Sequence, residues 1–219
     1  HVLAAPTEDG CDALERLADL LGAKAPSPGS AAARPDRPAG ALDVKAVWQA
    51  VGALMPEGAI VSDECGTSAR GADGLTAASP PHDWLYLTGG SIGQAGPVAA
   101  GAALARPGAT VFCMQGDGGA MYTLQALWTQ ARERLNVITV IFANRSYEIL
   151  KTEFKRVGVE APGPRALSML DLDNPTIDWV ALAHGMGVEA SRPSTAEEFA
   201  DFLASAIRAG GPHLAEVVL

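Results

Sequence analysis

The sequence predicts an α/β fold, a doubly wound parallel sheet with helices on both faces. Short, nearly uninterrupted apolar segments alternate along the chain with helical segments of about ten residues or more, which is the pattern of a parallel sheet covered on both sides. Apolar residues make up 48% of the 219 residues, which is enough for a buried core. No internal repeat is visible.

The N-terminal forty residues differ from the rest of the chain. Residues 7–21 predict an amphipathic helix, because leucines recur at helical spacing and Thr7 can cap it. Residues 23–40 contain four prolines and no large apolar residue, which indicates an extended linker. A lone helix on a linker has nothing to pack against in this sequence, so we expect residues 1–22 to be the end of an upstream domain. An N-terminal arm that docks on the remainder is the alternative.

Residues 41–219 form the predicted α/β domain. Apolar runs place strands at residues 59–63, 109–114, 137–142, 188–190 and 213–219. Helical patterns fill the intervals at residues 43–55, 94–105, 121–134, 178–184 and 195–209. Asp43 is expected to cap the first of these helices, and Thr195 with Glu198 to form a capping box at the last.

Composition and charge exclude several classes of partner. Sixteen basic side chains against 25 acidic ones give a net charge of −9, which argues against nucleic acid and anionic membranes. No apolar run reaches the roughly 18 residues that a membrane helix needs, and no signal-peptide pattern opens the chain. Three cysteines are too few for a disulfide framework or a zinc cluster, so a reducing cytoplasm is the expected location.

A glycine-rich loop, GDGG at residues 116–119, follows the strand at 109–114. Ligands of parallel sheets bind at the carboxyl ends of strands, and glycines before a helix let backbone N–H groups approach a phosphate. Asp117 would repel a bare phosphate, but the conflict disappears if Asp117 holds Mg²⁺ and the metal holds the phosphate. A glycine-rich turn with Asp117 as an ordinary helix cap is the alternative. Neither a dinucleotide fingerprint nor a P-loop is matched.

Asn144 follows the end of the next predicted strand, 27 residues after Asp117. One helix and one strand fill that interval, so both residues are expected at the same edge of the sheet. An asparagine amide oxygen and a nearby backbone carbonyl can complete a magnesium site that an aspartate begins. A plain turn asparagine is the alternative.

The run from residues 116–118 to Asn144 resembles the thiamine diphosphate-binding motif, whose usual ending is Asn-Asn. Residues 125–129 (QALWT) and 89–93 (GGSIG) resemble the benzoylformate decarboxylase and acetolactate synthase group. The resemblance covers the whole chain. The first helix and linker resemble the end of that group's middle domain, and residues 41–219 its diphosphate-binding domain.

The resemblance implies thiamine diphosphate and Mg²⁺ as cofactors. It implies that Asp117, the side-chain oxygen of Asn144 and the main-chain carbonyl of Ser146 bind the metal. The residues that it implies for cofactor binding are Gly66, Thr67, Gly90, Ile92, Asp117, Gly118, Gly119, Asn144, Ser146 and Tyr147. The resemblance implies that Gly118 and Gly119 meet the diphosphate through backbone N–H groups, that the Gly90 carbonyl meets the aminopyrimidine, and that Ile92 lies beneath the cofactor and bends it.

Some residues keep two interpretations or depart from the family pattern. Tyr147 packs beside the diphosphate or is a core aromatic, and Ile149 and Leu150 face the substrate or belong to a buried helix. The departures are Ala143 for the first asparagine of the usual pair, Gly119 for a common serine, a bulky Arg145, and no Gln-His-Gln-Met-Trp stretch in residues 66–74.

The resemblance implies an acetolactate synthase-like enzyme that decarboxylates a 2-oxo acid and carries out carboligation. A benzoylformate decarboxylase-like enzyme is the alternative, and a non-catalytic cofactor-binding or structural module is the alternative of another class. The activating glutamate of this family belongs to a pyrimidine-binding domain, so no catalytic residue is expected in this chain, which alone is expected to be inactive. Glu64 is expected to cap a loop. The expected partner is a pyrimidine-binding domain of the same or a twin subunit, in a homodimer or homotetramer.

Overall fold

The structure, a computed structural model, describes residue 2 and residues 4–24 and 33–219, and it divides into two units, 1–32 and 33–219. The first unit contains helix α1, Gly10–Leu20. Its cap is Asp9, whose Oδ1 accepts a hydrogen bond from the backbone N–H of Cys11 at 2.8 Å. Thr7 lies outside the helix, so the expected cap was wrong. Residues 25–32 of the expected linker lie outside the described residues, and the domain boundaries stay predictions.

The second unit is built on a six-stranded sheet. Its strands are β1 Ile60–Glu64, β2 Asp83–Tyr86, β3 Val111–Gly116, β4 Val137–Ala143, β5 Glu189–Ser191 and β6 His213–Val218. Their order is β2-β1-β3-β4-β6-β5, and all neighbours are parallel. This confirms the predicted fold class. The sequence did not predict β2, a short and largely exposed edge strand.

The helices of this unit are α2 Val44–Leu54, α3 Ala72–Thr76, α4 Ala95–Ala105, α5 Asp117–Ala120, α6 Ala126–Arg132, α7 Glu148–Arg156, α8 Pro164–Ser168, α9 Trp179–Gly185 and α10 Ala196–Ala209. Short 3₁₀ turns occupy Gly66–Ala69 and Thr88–Gly90. Among the described residues, no helix is both long enough and apolar enough to cross a membrane.

Two of the expected helix ends differ in detail. The expected helix at 121–134 is shorter, because α6 begins at Ala126 and a separate turn of helix, α5, begins at Asp117 itself. Only half of the expected capping box forms. Thr195 Oγ1 accepts from the N–H of Glu198 at 3.2 Å, whereas the Glu198 carboxylate accepts from the N–H of Ser194 at 2.8 Å.

Helices cover both faces of the sheet, because successive strand residues point to opposite sides. On β3, Phe112 and Met114 pack in one cluster with residues of α2 and α10, whereas Val111 and Cys113 pack in another with α4. Residues of α6 and α9 complete the second face against β4 and β6.

The register of the parallel strands sets the position of the functional site. Glu64 at the end of β1 is aligned with Gln115 on β3, and Gly116 at the end of β3 is aligned with Phe142 on β4. The three strands therefore end at nearly the same level, and the loops that follow them share one edge of the sheet.

Two glycines inside helices make a matched test of this packing. An added Cβ at Gly52 of α2 would collide with the backbone oxygen of Leu75, whereas one at Gly101 of α4 would meet nothing within 4 Å. We expect Gly52→Ala to lower the free energy of unfolding by about 2 kcal/mol or more through overpacking. Gly101→Ala should raise it by about 0.5–1 kcal/mol through helix propensity. Urea denaturation measures both, and a neutral Gly52→Ala would contradict the close approach of α2 to Leu75.

Candidate functional site

The carboxyl ends of β1, β3 and β4 open onto a cavity of about 560 Å³. The expected cofactor-binding residues that line it are Gly66, Thr67, Ile92, Asp117, Gly118, Gly119, Asn144, Ser146 and Tyr147. Gly90, the tenth, does not line this cavity and lies exposed in the neighbouring 3₁₀ turn. The fold thus brings together residues that span 82 positions of the chain, from 66 to 147, while their contacts with a cofactor stay predictions.

Asp117 is buried at the junction of two loops. Its side chain is only 3% exposed, Oδ1 accepts from the N–H of Gly118 at 2.9 Å, and Oδ2 accepts from the N–H of Arg145 at 2.7 Å. The second bond ties the loop after β3 to the loop after β4. Burial raises the pKa of the Asp117 carboxyl, although the N–H groups of Arg145 and Gly118 act in the opposite direction.

The Asn144 side chain shapes the loop after β4. Its Oδ1 accepts from the N–H of Ser146 at 3.0 Å, which closes an Asx turn. Arg145 between them has a φ of 54°, in the left-handed region that favours glycine. The N–H of Arg145 donates to Asp117, and the Arg145 side chain is exposed. The bulky residue at this position is therefore accommodated at the surface.

Residues 170–172 support the same loop, although the sequence indicated no role for them. The N–H of Tyr147 donates to the Leu170 carbonyl at 2.9 Å, and the N–H of Leu172 donates to the Arg145 carbonyl at 2.8 Å. Ser146 Oγ also donates to the Leu170 carbonyl, at 3.3 Å. This short antiparallel pairing fixes the loop that carries Asn144 and Ser146.

Gly118 and Gly119 lie close to two neighbouring side chains. A Cβ at Gly118 would lie 2.6 Å from Cε1 of Tyr147, and a Cβ at Gly119 would lie 2.8 Å from Oε1 of Glu64. The absence of the common serine at position 119 therefore leaves room for a carboxylate. Tyr147 is half-buried and lines the cavity against Gly118, so it is not a core aromatic.

Glu64 has the loop-capping role expected of it. This buried carboxylate accepts from the N–H groups of Gly93 and Ala95, and so holds the start of α4. Both of its oxygens are occupied by these bonds.

The open side of the cavity is apolar. Ile149 and Leu150 line it from α7, a helix without buried residues, and are 50% and 45% exposed. The buried-helix interpretation of these two residues was therefore wrong. Tyr122 and Met169 also line the cavity and are 59% and 75% exposed. The sequence did not point to Met169, which lies on a segment remote from every motif.

The charged groups of the cavity are all acidic. Among the described residues that line it, Glu64, Asp117 and Glu148 are carboxylates and none is Lys, Arg or His. The described part of the chain also holds no cluster of three or more His, Cys, Asp or Glu side chains that could bind a metal unaided. A metal at Asp117 would need amide, carbonyl, water and ligand oxygens as well, which is the mode that Mg²⁺ prefers.

Comparison with known proteins places the chain among thiamine diphosphate enzymes. Residues 64–217 match the family described as "Thiamine pyrophosphate enzyme, C-terminal TPP binding domain". The chain is 50% identical, over its whole length and 42% of the relative's, to the Mycobacterium tuberculosis protein named "Putative acetolactate synthase large subunit IlvX". It is 33% identical to the benzoylformate decarboxylase of Pseudomonas aeruginosa, over 81% of this chain and 32% of that one.

A solved structure supports the same placement. The thiamine diphosphate-dependent 4-hydroxybenzoylformate decarboxylase of Rhodococcus jostii RHA1 superposes with a TM-score of 0.72 at 28% identity, over 94% of this chain and 38% of that one. The chain thus spans less than half the length of each of these proteins.

The strained backbone of Arg145 can be tested directly. Arg145→Gly removes a left-handed conformation that costs a side-chain-bearing residue about 1–2 kcal/mol, and the greater unfolded-state entropy of glycine offsets part of this gain. We expect the free energy of unfolding to rise by up to about 1 kcal/mol in urea denaturation. Arg134→Gly, at a φ of 51° and outside the cavity lining, is the matched control and should behave alike. A loss of stability in Arg145→Gly alone would show that the Arg145 side chain makes a stabilising contact.

Proposed function

Because the chain belongs to the thiamine pyrophosphate enzyme family, through its C-terminal TPP binding domain, we propose that it is the diphosphate- and Mg²⁺-binding portion of an acetolactate synthase-like enzyme. Such an enzyme decarboxylates a 2-oxo acid and carries out carboligation. The relative of 50% identity, with acetolactate synthase in its name, supports this choice.

One observation supports the magnesium site most directly. Asp117 is a buried carboxylate in an acidic cavity, and it makes no salt bridge within the described residues. An isolated buried charge is costly unless a cation or hydrogen bonds compensate it. A diphosphate would add further negative charge to this cavity, so a divalent cation between Asp117 and the diphosphate satisfies both groups.

The proposed Mg²⁺ ligands come from two loops, the one after β3 and the one after β4. Asp117, the side-chain oxygen of Asn144 and the carbonyl of Ser146 would hold Mg²⁺, and Gly118 and Gly119 would face the diphosphate. The N–H of Gly118 already donates to Asp117, so a contact from it to the diphosphate would be shared. Gly66 and Thr67 would close the diphosphate side from the loop after β1. When bound, thiamine diphosphate supplies the electron sink for loss of carbon dioxide from a 2-oxo acid.

The apolar residues of the cavity would orient the cofactor and enclose its reacting end. Ile92, Ile149 and Leu150 form an apolar wall that would exclude water from the reacting end of the cofactor. The large exposed side chains at the cavity mouth support a covering domain, and we propose that the pyrimidine-binding domain of the same or a twin subunit covers them in a homodimer or homotetramer. Cytoplasmic location stays a prediction.

Decarboxylation of an aromatic 2-oxo acid is the second candidate activity. It is favoured by the likeness to the Pseudomonas benzoylformate decarboxylase and to the Rhodococcus 4-hydroxybenzoylformate decarboxylase. Assays of the full-length protein with pyruvate and with benzoylformate separate the two candidates, because only carboligation of pyruvate yields acetolactate. A non-catalytic module is the candidate of another class.

Asp117→Asn tests the magnesium site. Removing the charge should weaken Mg²⁺-dependent binding of thiamine diphosphate by roughly 100-fold or more, measured by calorimetric titration of the whole chain. Asp201→Asn, at an exposed carboxylate on α10, is the control and should leave binding unchanged. Titration of the unmodified chain with ADP and NAD tests for another diphosphate ligand. Unchanged, metal-dependent binding in Asp117→Asn would exclude this site, and tighter binding of ADP or NAD would exclude thiamine diphosphate as its ligand.

The chain by itself should be inactive. Glu64 is occupied by backbone donors, and Glu148 is exposed on α7 and pairs with Lys151 at 3.2 Å, so neither is placed to activate the cofactor. We expect no release of carbon dioxide from pyruvate or benzoylformate by the 219-residue chain with thiamine diphosphate and Mg²⁺. The full-length protein is the positive control. Turnover by the chain alone would show that it carries its own activating group.

A further inference from the structure

Glu64 is a buried carboxylate that lines the proposed cofactor cavity, which loop capping alone does not explain. It is the last residue of β1, it is 8% exposed, and it lines the same cavity as Asp117. Within the described residues it forms no salt bridge. A buried carboxylate without a cation is retained only where hydrogen-bond donors surround it.

The donors around Glu64 come from three different elements. Oε1 accepts a short hydrogen bond from the N–H of Gly93, and Oε2 accepts from the N–H of Ala95 at 2.7 Å. Oε2 also accepts from the Gln115 side chain on β3 at 3.2 Å. Glu64 therefore joins the ends of β1 and β3 to the loop that precedes α4.

Gly93 is held from its other side as well. Its carbonyl accepts a hydrogen bond from Thr123 Oγ1 at 2.6 Å. Its φ is 89°, and a Cβ at this position would lie 2.7 Å from the Cβ of Tyr122. The backbone of Gly93 is thus fixed through both its N–H and its C=O, between Glu64 and Thr123.

Ile92 precedes this fixed residue and has little support of its own. Its side chain lines the cavity and is 57% exposed. The backbone at Ile92 is held by the anchors of Gly93 and by the turn in which the N–H of Gln94 donates to the Ser91 carbonyl at 3.1 Å, because the exposed isoleucine side chain has little packing of its own.

We propose that Glu64 is a positioning residue for the organic half of the bound cofactor. Through the N–H of Gly93 it holds Ile92 against that half, while the loops of Asp117 and Asn144 hold the diphosphate half. This inference rests on the proposed function, because it takes thiamine diphosphate as the ligand. The organic half of the ligand is thus assigned to Glu64 at the end of β1, and the diphosphate half to the loops that follow β3 and β4.

Binding of the organic half and binding of the diphosphate half can be measured separately by comparing two ligands. Inorganic pyrophosphate with Mg²⁺ occupies only the diphosphate side, whereas thiamine diphosphate with Mg²⁺ needs both sides. We expect the whole chain to bind thiamine diphosphate more tightly than pyrophosphate in calorimetric titration. Glu64→Gln puts an NH₂ group against a backbone donor, so it should weaken thiamine diphosphate binding roughly tenfold and leave pyrophosphate binding within a factor of about three.

Thr123→Val loosens the same loop without changing Glu64. It removes the donor to the Gly93 carbonyl and keeps the side-chain volume, so it should shift the ratio of the two affinities in the same direction. Glu216→Gln is the matched control, since Glu216 is a buried carboxylate on β6 whose described partner is Arg192 at 2.8 Å. It should leave the ratio of the two affinities unchanged.

The outcomes separate this inference from the proposed function. Equal weakening of both ligands in Glu64→Gln and Thr123→Val, or no weakening, would overturn the positioning role and leave the cofactor assignment standing. An unmodified chain with no preference for thiamine diphosphate over pyrophosphate would overturn it as well. An unmodified chain that binds neither ligand would overturn the proposed function itself. If Glu64→Gln does not fold, Thr123→Val decides the question.

Discussion

The hydrogen bond from the Arg145 N–H to Asp117 Oδ2 joins the two loops on which the candidate site depends. It spans 2.7 Å between segments that follow neighbouring parallel strands. The bond forms because β3 and β4 are in register, so that their carboxyl ends deliver the two loops to one edge. The loop after β4 holds its shape through the Asn144 turn and the pairing with residues 170–172, and Arg145 within it has a left-handed φ. The sheet therefore places the two loops at one edge, and backbone hydrogen bonds then fix their conformation.

Charge places a second constraint on the same edge. Two buried carboxylates, Asp117 and Glu64, face one cavity whose described lining offers no basic side chain. The protein satisfies Glu64 with backbone and amide donors, and it leaves Asp117 with two backbone donors in surroundings that raise its pKa. The two acids are therefore not equivalent. Glu64 is held by three donors, whereas Asp117 is the carboxylate that we propose as the Mg²⁺ ligand.

The parts of the fold that the sequence predicted are those with local signals. Four buried strands appear as apolar runs, and Asp43 caps its helix as expected, because both signals lie within a few residues. Strand β2 was missed because four partly exposed residues at a sheet edge carry no periodicity. The support of the Asn144 loop by residues 170–172 was missed because it is a backbone pairing between distant segments, which leaves no mark on side-chain type. The candidate site could be predicted as a set of residues, but not the hydrogen bonds that arrange them.

The glycine at position 119, where the family commonly has serine, can be explained by its closeness to Glu64. Taken alone, glycine in place of serine removes a hydroxyl group. In the fold, a Cβ at this position would lie 2.8 Å from Glu64 Oε1, so the small residue and the buried carboxylate depend on each other. A side chain at position 119 would have to displace the Glu64 carboxylate, which is bonded to Gly93 and Ala95. The loop after β3 therefore influences the loop that carries Ile92 through a shared side chain, although the two loops serve opposite halves of the proposed ligand.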